Sequence, residues 1–248
     1  MAATKSYQEA LAALSEDDRE KFLSNPNRWR VLINGEALPP GTDVRIEGRF
    51  GSAETVVVMH NDGTPNFDRP NYAEAPATNI VGWGRDADGE VRMAVIRQPR
   101  PHADQLGQPS TDGHAPVLFG QVPMGFLDKV LGGDFETPEE GATHEMQEET
   151  GATAILRIER PMVPWQNPNP SFVKSWVHLL FVEVDLQKVE ALKASRSEPI
   201  YSAEYVTVDV LLERIRVGRD EHGAEYRSAI SNSIWLIFFA THPELFRV

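Results

Sequence analysis

Cysteine is absent from all 248 residues. That excludes disulfides, thiolate metal ligands and a cysteine nucleophile, and it fits a cytoplasmic setting. Positive charge is scarce: 24 Lys and Arg stand against 37 Asp and Glu, a net charge of −13. A nonspecific nucleic-acid or anionic-membrane binder needs a basic patch, so neither partner is expected. A phosphorylated small molecule stays open, because a bound cation can supply local positive charge. Long apolar runs are missing too. The longest, Ile234 to Ala240, is too short to cross a bilayer and reads as a buried helix. Met1 to Ser6 is not followed by the apolar core of a signal peptide, so a cytoplasmic location is the expectation.

What is present reads as an ordinary globular chain, with 41% apolar residues and enough length for one sizeable core or a core plus a small extension. Tyr7 to Leu23 has helical periodicity, with Ala10, Leu11, Leu14 and Phe22 as the inner stripe; Ser15 can instead start a second helix. Short strands are expected at 29–33, 44–46 and 55–59, and loop from Asn61 to Thr78. Ile80 to Arg85 and Val91 to Ile96 flank Asp86-Ala-Asp-Gly-Glu, a hairpin signal. Further strands are expected at 117–122, 156–159, 176–184 and from 205. Helices are expected at 186–194, 210–216 and 228–240, with Ile230, Ile234, Ile237 and Phe238 on one side of the last. Strands mixed with a few helices predict an α/β fold, a sheet covered by helices.

The most informative stretch is Thr137 to Gly151. Thr137 suits an N-cap, Pro138 the first helical position, and Glu140 closes a Thr-x-x-Glu capping box. Gly151 is the expected stop. Within that helix Glu145, Glu148 and Glu149 fall at i, i+3 and i+4 and share one face. Carboxylates crowded this way suit a hard cation such as Mg²⁺ or Mn²⁺. The same spacing also fits a solvated helix face.

Glu136, a gap of seven residues, and His144-Glu-Met-Gln-Glu-Glu-Thr-Gly-Ala152 resemble the Nudix box, Gly-x5-Glu-x7-Arg-Glu-U-x-Glu-Glu-x-Gly-U with U apolar. The second half departs at one fixed position, where His144 replaces Arg. In the first half, ten residues separate Gly125 from Glu136 instead of five, and only two separate Gly133 from it. Val122 to Asp128 resembles the segment before the helix in ADP-ribose pyrophosphatases, so Gly125 is taken as the motif glycine and Val130 to Asp134 as an insertion.

The resemblance implies an α/β/α sandwich with a mixed sheet over 79–248, preceded by an N-terminal extension over 1–78 that joins a homodimer in similar enzymes. It implies hydrolysis of a phosphoanhydride in a nucleoside diphosphate linked to another moiety, ADP-ribose or a nucleotide sugar first, with Mg²⁺ or Mn²⁺. Glu145 and Glu149 become the principal ligands, Glu148 a shared ligand, and the Met124 carbonyl a further one. Glu136 shapes the loop. His144 can reach Glu148 one turn along the helix. By position, Glu204 is the leading candidate for the base or an added metal ligand, and Glu198 the second. If Glu204 is the base, Glu204→Gln leaves folding intact and lowers turnover about 10²–10⁴-fold. Arg100, and secondarily Arg97, resemble the Gln-x-Arg strand end that forks onto a diphosphate. Trp165 or Phe172 can stack on a base or sugar. The alternative is a catalytically weak domain that senses a nucleotide.

Overall fold

The computed structural model describes residues 4–24, 32–33, 36–37, 45–48, 51–60, 64–99, 117–127, 137–167, 176–192 and 200–246. The chain divides into two compact units. One comprises Met1–Ala75 with Asn167–Trp176, the other Pro76–Gln166 with Val177–Val248.

The first unit begins with strand β1 (Thr4–Ser6) and helices α1 (Tyr7–Ala12) and α2 (Glu16–Ser24). The long helical stretch breaks because Ser15 caps α2, its hydroxyl accepting the Asp18 N–H at 3.2 Å. Ala10, Leu11 and Phe22 pack with Val57, and Leu14 and Leu23 lie alongside. Strands β2 (Leu32–Ile33) and β3 (Glu36–Ala37) pair with each other. Strands β4 (Arg45–Gly48), β5 (Gly51–Met59) and β6 (Pro65–Glu74) form an antiparallel sheet with β1. Within it β5 pairs with β4 through residues 51–54, with β1 through 56–58 and with β6 along its length. The stretch expected as loop from Asn61 is therefore largely strand. Its prolines, Pro65 and Pro70, suit a strand that among the described residues pairs on one side only, since edge strands tolerate proline.

The second unit is built on an eight-stranded mixed sheet. Its strands are β7 (Ala77–Arg85), β8 (Val91–Pro99), β9 (Leu118–Gln121), β10 (Met124–Phe126), β11 (Ile155–Glu159), β12 (Trp165–Gln166), β13 (Val177–Val184) and β14 (Ser202–Thr207). The main path runs β11-β13-β7-β8-β14, with β12 on β13, β10 on β7 and β9 on β8. The β13–β7 pair is parallel and the other described pairs are antiparallel. Among the described residues three α-helices belong to this unit: α3 (Pro138–Thr150), α4 (Val208–Val217) and α5 (Ala229–Thr241).

Both faces of the sheet are covered, which is why β7 and β8 are nearly continuous buried runs rather than alternating ones. On one face Val81, Trp83, Met93, Val95, Leu179 and Phe181 pack with Leu211 of α4 and Ile234, Trp235 and Phe238 of α5. On the other, Ile80, Ala94, Leu180 and Val182 pack with Ala142 and Met146 of α3. Gly82 has no room for a side chain, because a Cβ there would fall 2.5 Å from the Met146 methyl carbon.

The helix expected over 186–194 is a short 3-10 turn, Leu186–Lys188, followed by extended chain. Asp185 caps the turn, and Glu190 N–H then reaches the Gly151 carbonyl at 2.8 Å, which pulls the segment into pairing at Ala152 and Val189. Among the described residues no helix is long and apolar enough to cross a membrane.

Candidate functional site

Helix α3 is fixed at both ends by the signals in its sequence. The Thr137 hydroxyl accepts the Glu140 N–H and the Glu140 carboxylate accepts the Thr137 N–H, each at 3.2 Å. Gly151 takes φ 74°, the left-handed region, and its N–H reaches the Gln147 carbonyl. With Ala142 and Met146 buried in the sheet, the rotation of the helix is set. A third anchor lies near its start, where Arg160 forks onto Glu139 at 2.5 and 2.7 Å. That guanidinium holds the Glu139 carboxyl below the usual carboxylate range. His178 of β13 is pushed below the ordinary histidine value by burial first and by the Arg160 charge second.

This rotation aims the carboxylates at β10. Glu149 is 1% exposed, and its Oε2 accepts the Met124 N–H at 2.8 Å. Glu145 lies against the α-carbon of Gly125: a Cβ at that position would sit 1.9 Å from Glu145 Oε1. Only glycine permits that approach. The Gly125 carbonyl accepts the Thr78 hydroxyl at 3.4 Å, tying the strand to β7. Further out, His144 Nδ1 stands 3.6 Å from Glu148 Oε2, the reach expected from their spacing. His144, Glu145 and Glu148 each offer one ligand atom, all within 4.8 Å of one another. One imidazole nitrogen and two carboxylate oxygens held this close offer three donors to a divalent cation, and the Glu145 side chain that supplies one of them is seated against β10.

No protein-family model and no curated protein matches the chain. The functional reading therefore stands on its residues and their geometry.

The other expected residues fall in three places. Arg97 and Glu204 lie on the sheet face opposite α3. Register decides this: Glu204 pairs with Val95 on the α5 side, and its neighbour Tyr205 pairs with Ala94 on the α3 side. Tyr205 shares a 3.0 Å hydrogen bond with Thr150 at the end of α3, and burial pushes its hydroxyl up to about 12. Glu204 instead accepts from Arg97 and, at 2.5 Å, from Arg214 of α4. Arg97 also donates to Asp220 at 2.6 Å and to Ser202 at 3.1 Å. The structure thus brings Glu145, Glu148, Glu149, His144 and Met124 together, and it groups Glu204 with Arg97 elsewhere. Trp165 sits on β12, 48% exposed, paired in register with His178. Arg100, Glu136, Glu198 and Phe172 lie outside the described residues.

Sequence reasoning missed Asp220, Arg214 and Tyr226. Asp220 is buried, and its Oδ1 caps the turn at His222 and Ala224, each at 2.9 Å. Burial alone would raise its pKa; the Arg97 hydrogen bond and these backbone donors outweigh that and lower it. The Arg214 guanidinium is held above its ordinary value: burial opposes its charge, and Glu204, Tyr226 and Glu221 more than offset this. Asp220-Glu-His-Gly223 is a legible turn signal, with Gly223 at φ 84°. Nothing along the chain marks Arg214 as buried, because it sits among charged residues on an amphipathic helix.

Proposed function

We propose that the chain is a metal-dependent hydrolase of the Nudix kind, cleaving a phosphoanhydride in a nucleoside diphosphate linked to another moiety, with ADP-ribose or a nucleotide sugar as first candidates. The observation that carries this reading is the junction of α3 with β10, where Glu145 rests on Gly125 and Glu149 on the Met124 N–H. A motif glycine and motif carboxylates far apart in sequence meet there, as a working box requires.

Glu145, Glu148 and Glu149 would hold Mg²⁺ or Mn²⁺. Such a cation neutralises phosphate oxygens and lowers the pKa of a coordinated water. The chain's own contribution is preorganisation. The Met124 N–H fixes the Glu149 carboxylate, Gly125 lets Glu145 approach the strand, and His144 flanks Glu148. The base role goes to Glu198 in this reading, because Glu204 is engaged by two guanidiniums on the far side of the sheet. Arg100 remains the candidate for the diphosphate and Trp165 for a ring.

The second reading is a catalytically weak domain that senses a nucleotide, favoured by His144 where the box has Arg. A panel of diphosphate compounds with Mg²⁺ or Mn²⁺, products read by mass, separates the two. Metal-dependent hydrolysis of one compound class is the expected outcome. Binding without turnover selects the sensor, and neither binding nor turnover removes both.

A further inference from the structure

We propose that His144 is itself a metal ligand, and that its nitrogen shifts the α3 centre from Mg²⁺ toward cations that accept imidazole, such as Zn²⁺ and Co²⁺. This rests on the carboxylate centre proposed above and asks which cation that centre prefers. His144 and Glu148 are four residues apart on one helix, so they project side by side, the spacing by which helical ligand pairs grip one ion. Their nearest N and O atoms are 3.6 Å apart, and Glu145 completes a group of donors within 4.8 Å. Ligand bonds of about 2.0–2.2 Å place neighbouring donors about 3–4 Å apart, so the group needs about 1–2 Å of closure at most. That closure is cheap at His144 and Glu148, whose side chains are 47% and 37% exposed. Glu149 accepts the Met124 N–H, and His144, Glu145 and Glu148 are the donors gathered within 4.8 Å of one another.

The donor chemistry then sets the preference. Mg²⁺ demands oxygen and keeps its waters, whereas imidazole suits Zn²⁺ and other first-row cations. An arginine at this position offers no lone pair and cannot ligate. A histidine that only neutralised Glu148 as imidazolium would leave the preference unchanged.

The test titrates the full metal-free chain with MgCl₂ and, separately, ZnCl₂ by calorimetry, and follows histidine ring nitrogens by NMR. His144→Gln is a safe variant, because the site is an exposed helix position and Gln is a good helix former. The expected result is a loss of about 10–100-fold in Zn²⁺ affinity in His144→Gln, with Mg²⁺ affinity retained. A His144 ring nitrogen should also shift on Zn²⁺ addition to the unsubstituted chain. An unchanged Zn²⁺-to-Mg²⁺ affinity ratio with no ring shift overturns the proposal while Mg²⁺ binding sustains the carboxylate centre. Failure of both cations to bind the unsubstituted chain overturns the two together.

Discussion

Two charge-rich regions lie on opposite faces of the same eight-stranded sheet, and they spend their charges differently. Helix α3 carries Glu139, Glu140, Glu145, Glu148 and Glu149 and has no Lys or Arg of its own. On the other face, Arg97, Arg214, Glu204, Asp220 and Glu221 form a closed network in which each carboxylate meets a guanidinium. A closed network holds structure together and has little left to offer a ligand. Carboxylates gathered on one helix repel one another and gain from a cation. The comparison teaches that a buried charge in this fold signals scaffold when its partner is another side chain.

The largest expected effect breaks the closed side. Asp220→Asn keeps the turn-capping oxygen but sets an amide that donates against the buried Arg97 Nε, whose remaining carboxylate partner is Glu204, at a cost of about 3–5 kcal/mol, read as a lower urea midpoint. A loss within experimental error would show the network to be ornamental. Glu204→Gln follows, at about 2–3 kcal/mol, because two charge-assisted hydrogen bonds weaken together. The same variant sharpens the comparison. A stable protein whose turnover falls about 10²–10⁴-fold would return Glu204 to the role of base.

On the open side, Glu145→Gln should lower metal affinity or turnover at least about 10–100-fold while changing stability little. Gly125→Ala should resemble it in affinity and add a stability loss of about 1–3 kcal/mol, because the new Cβ displaces the Glu145 carboxylate. Equal metal affinity in either variant would detach that contact from function.

Acid titration distinguishes the regions by sign. Asp220 has a depressed pKa in the folded chain, so its stabilisation is present above the unfolded value, about 3.9, and is lost as pH falls through the lower folded value. The stability gap between the unsubstituted chain and Asp220→Asn should therefore narrow below about pH 4. A gap constant from pH 7 to pH 3 would contradict the ion-pair account. The smallest effect is Tyr205→Phe, which removes one hydrogen bond to Thr150 and should cost about 0.5–1.5 kcal/mol.

Sequence alone determined the local features. The Thr137 box, Pro138 and Gly151 delimit α3 because caps are satisfied within a few residues of the chain. The Asp86 turn fixes the β7–β8 hairpin for the same reason. The apolar stripes of α1, α2 and α5 were legible, since periodicity reports which side is buried. The β6 strand was not: it exists through pairing with β5, while its own composition favours a loop. The candidate site divides likewise. The shared face of Glu145, Glu148 and Glu149 follows from helical geometry. That Glu145 lies on Gly125, that Glu149 meets Met124, and that Glu204 turns away to two arginines were decided by the tertiary structure. Strand register assigns each side chain to one sheet face, and it is set by long-range packing that neighbours in the chain do not encode.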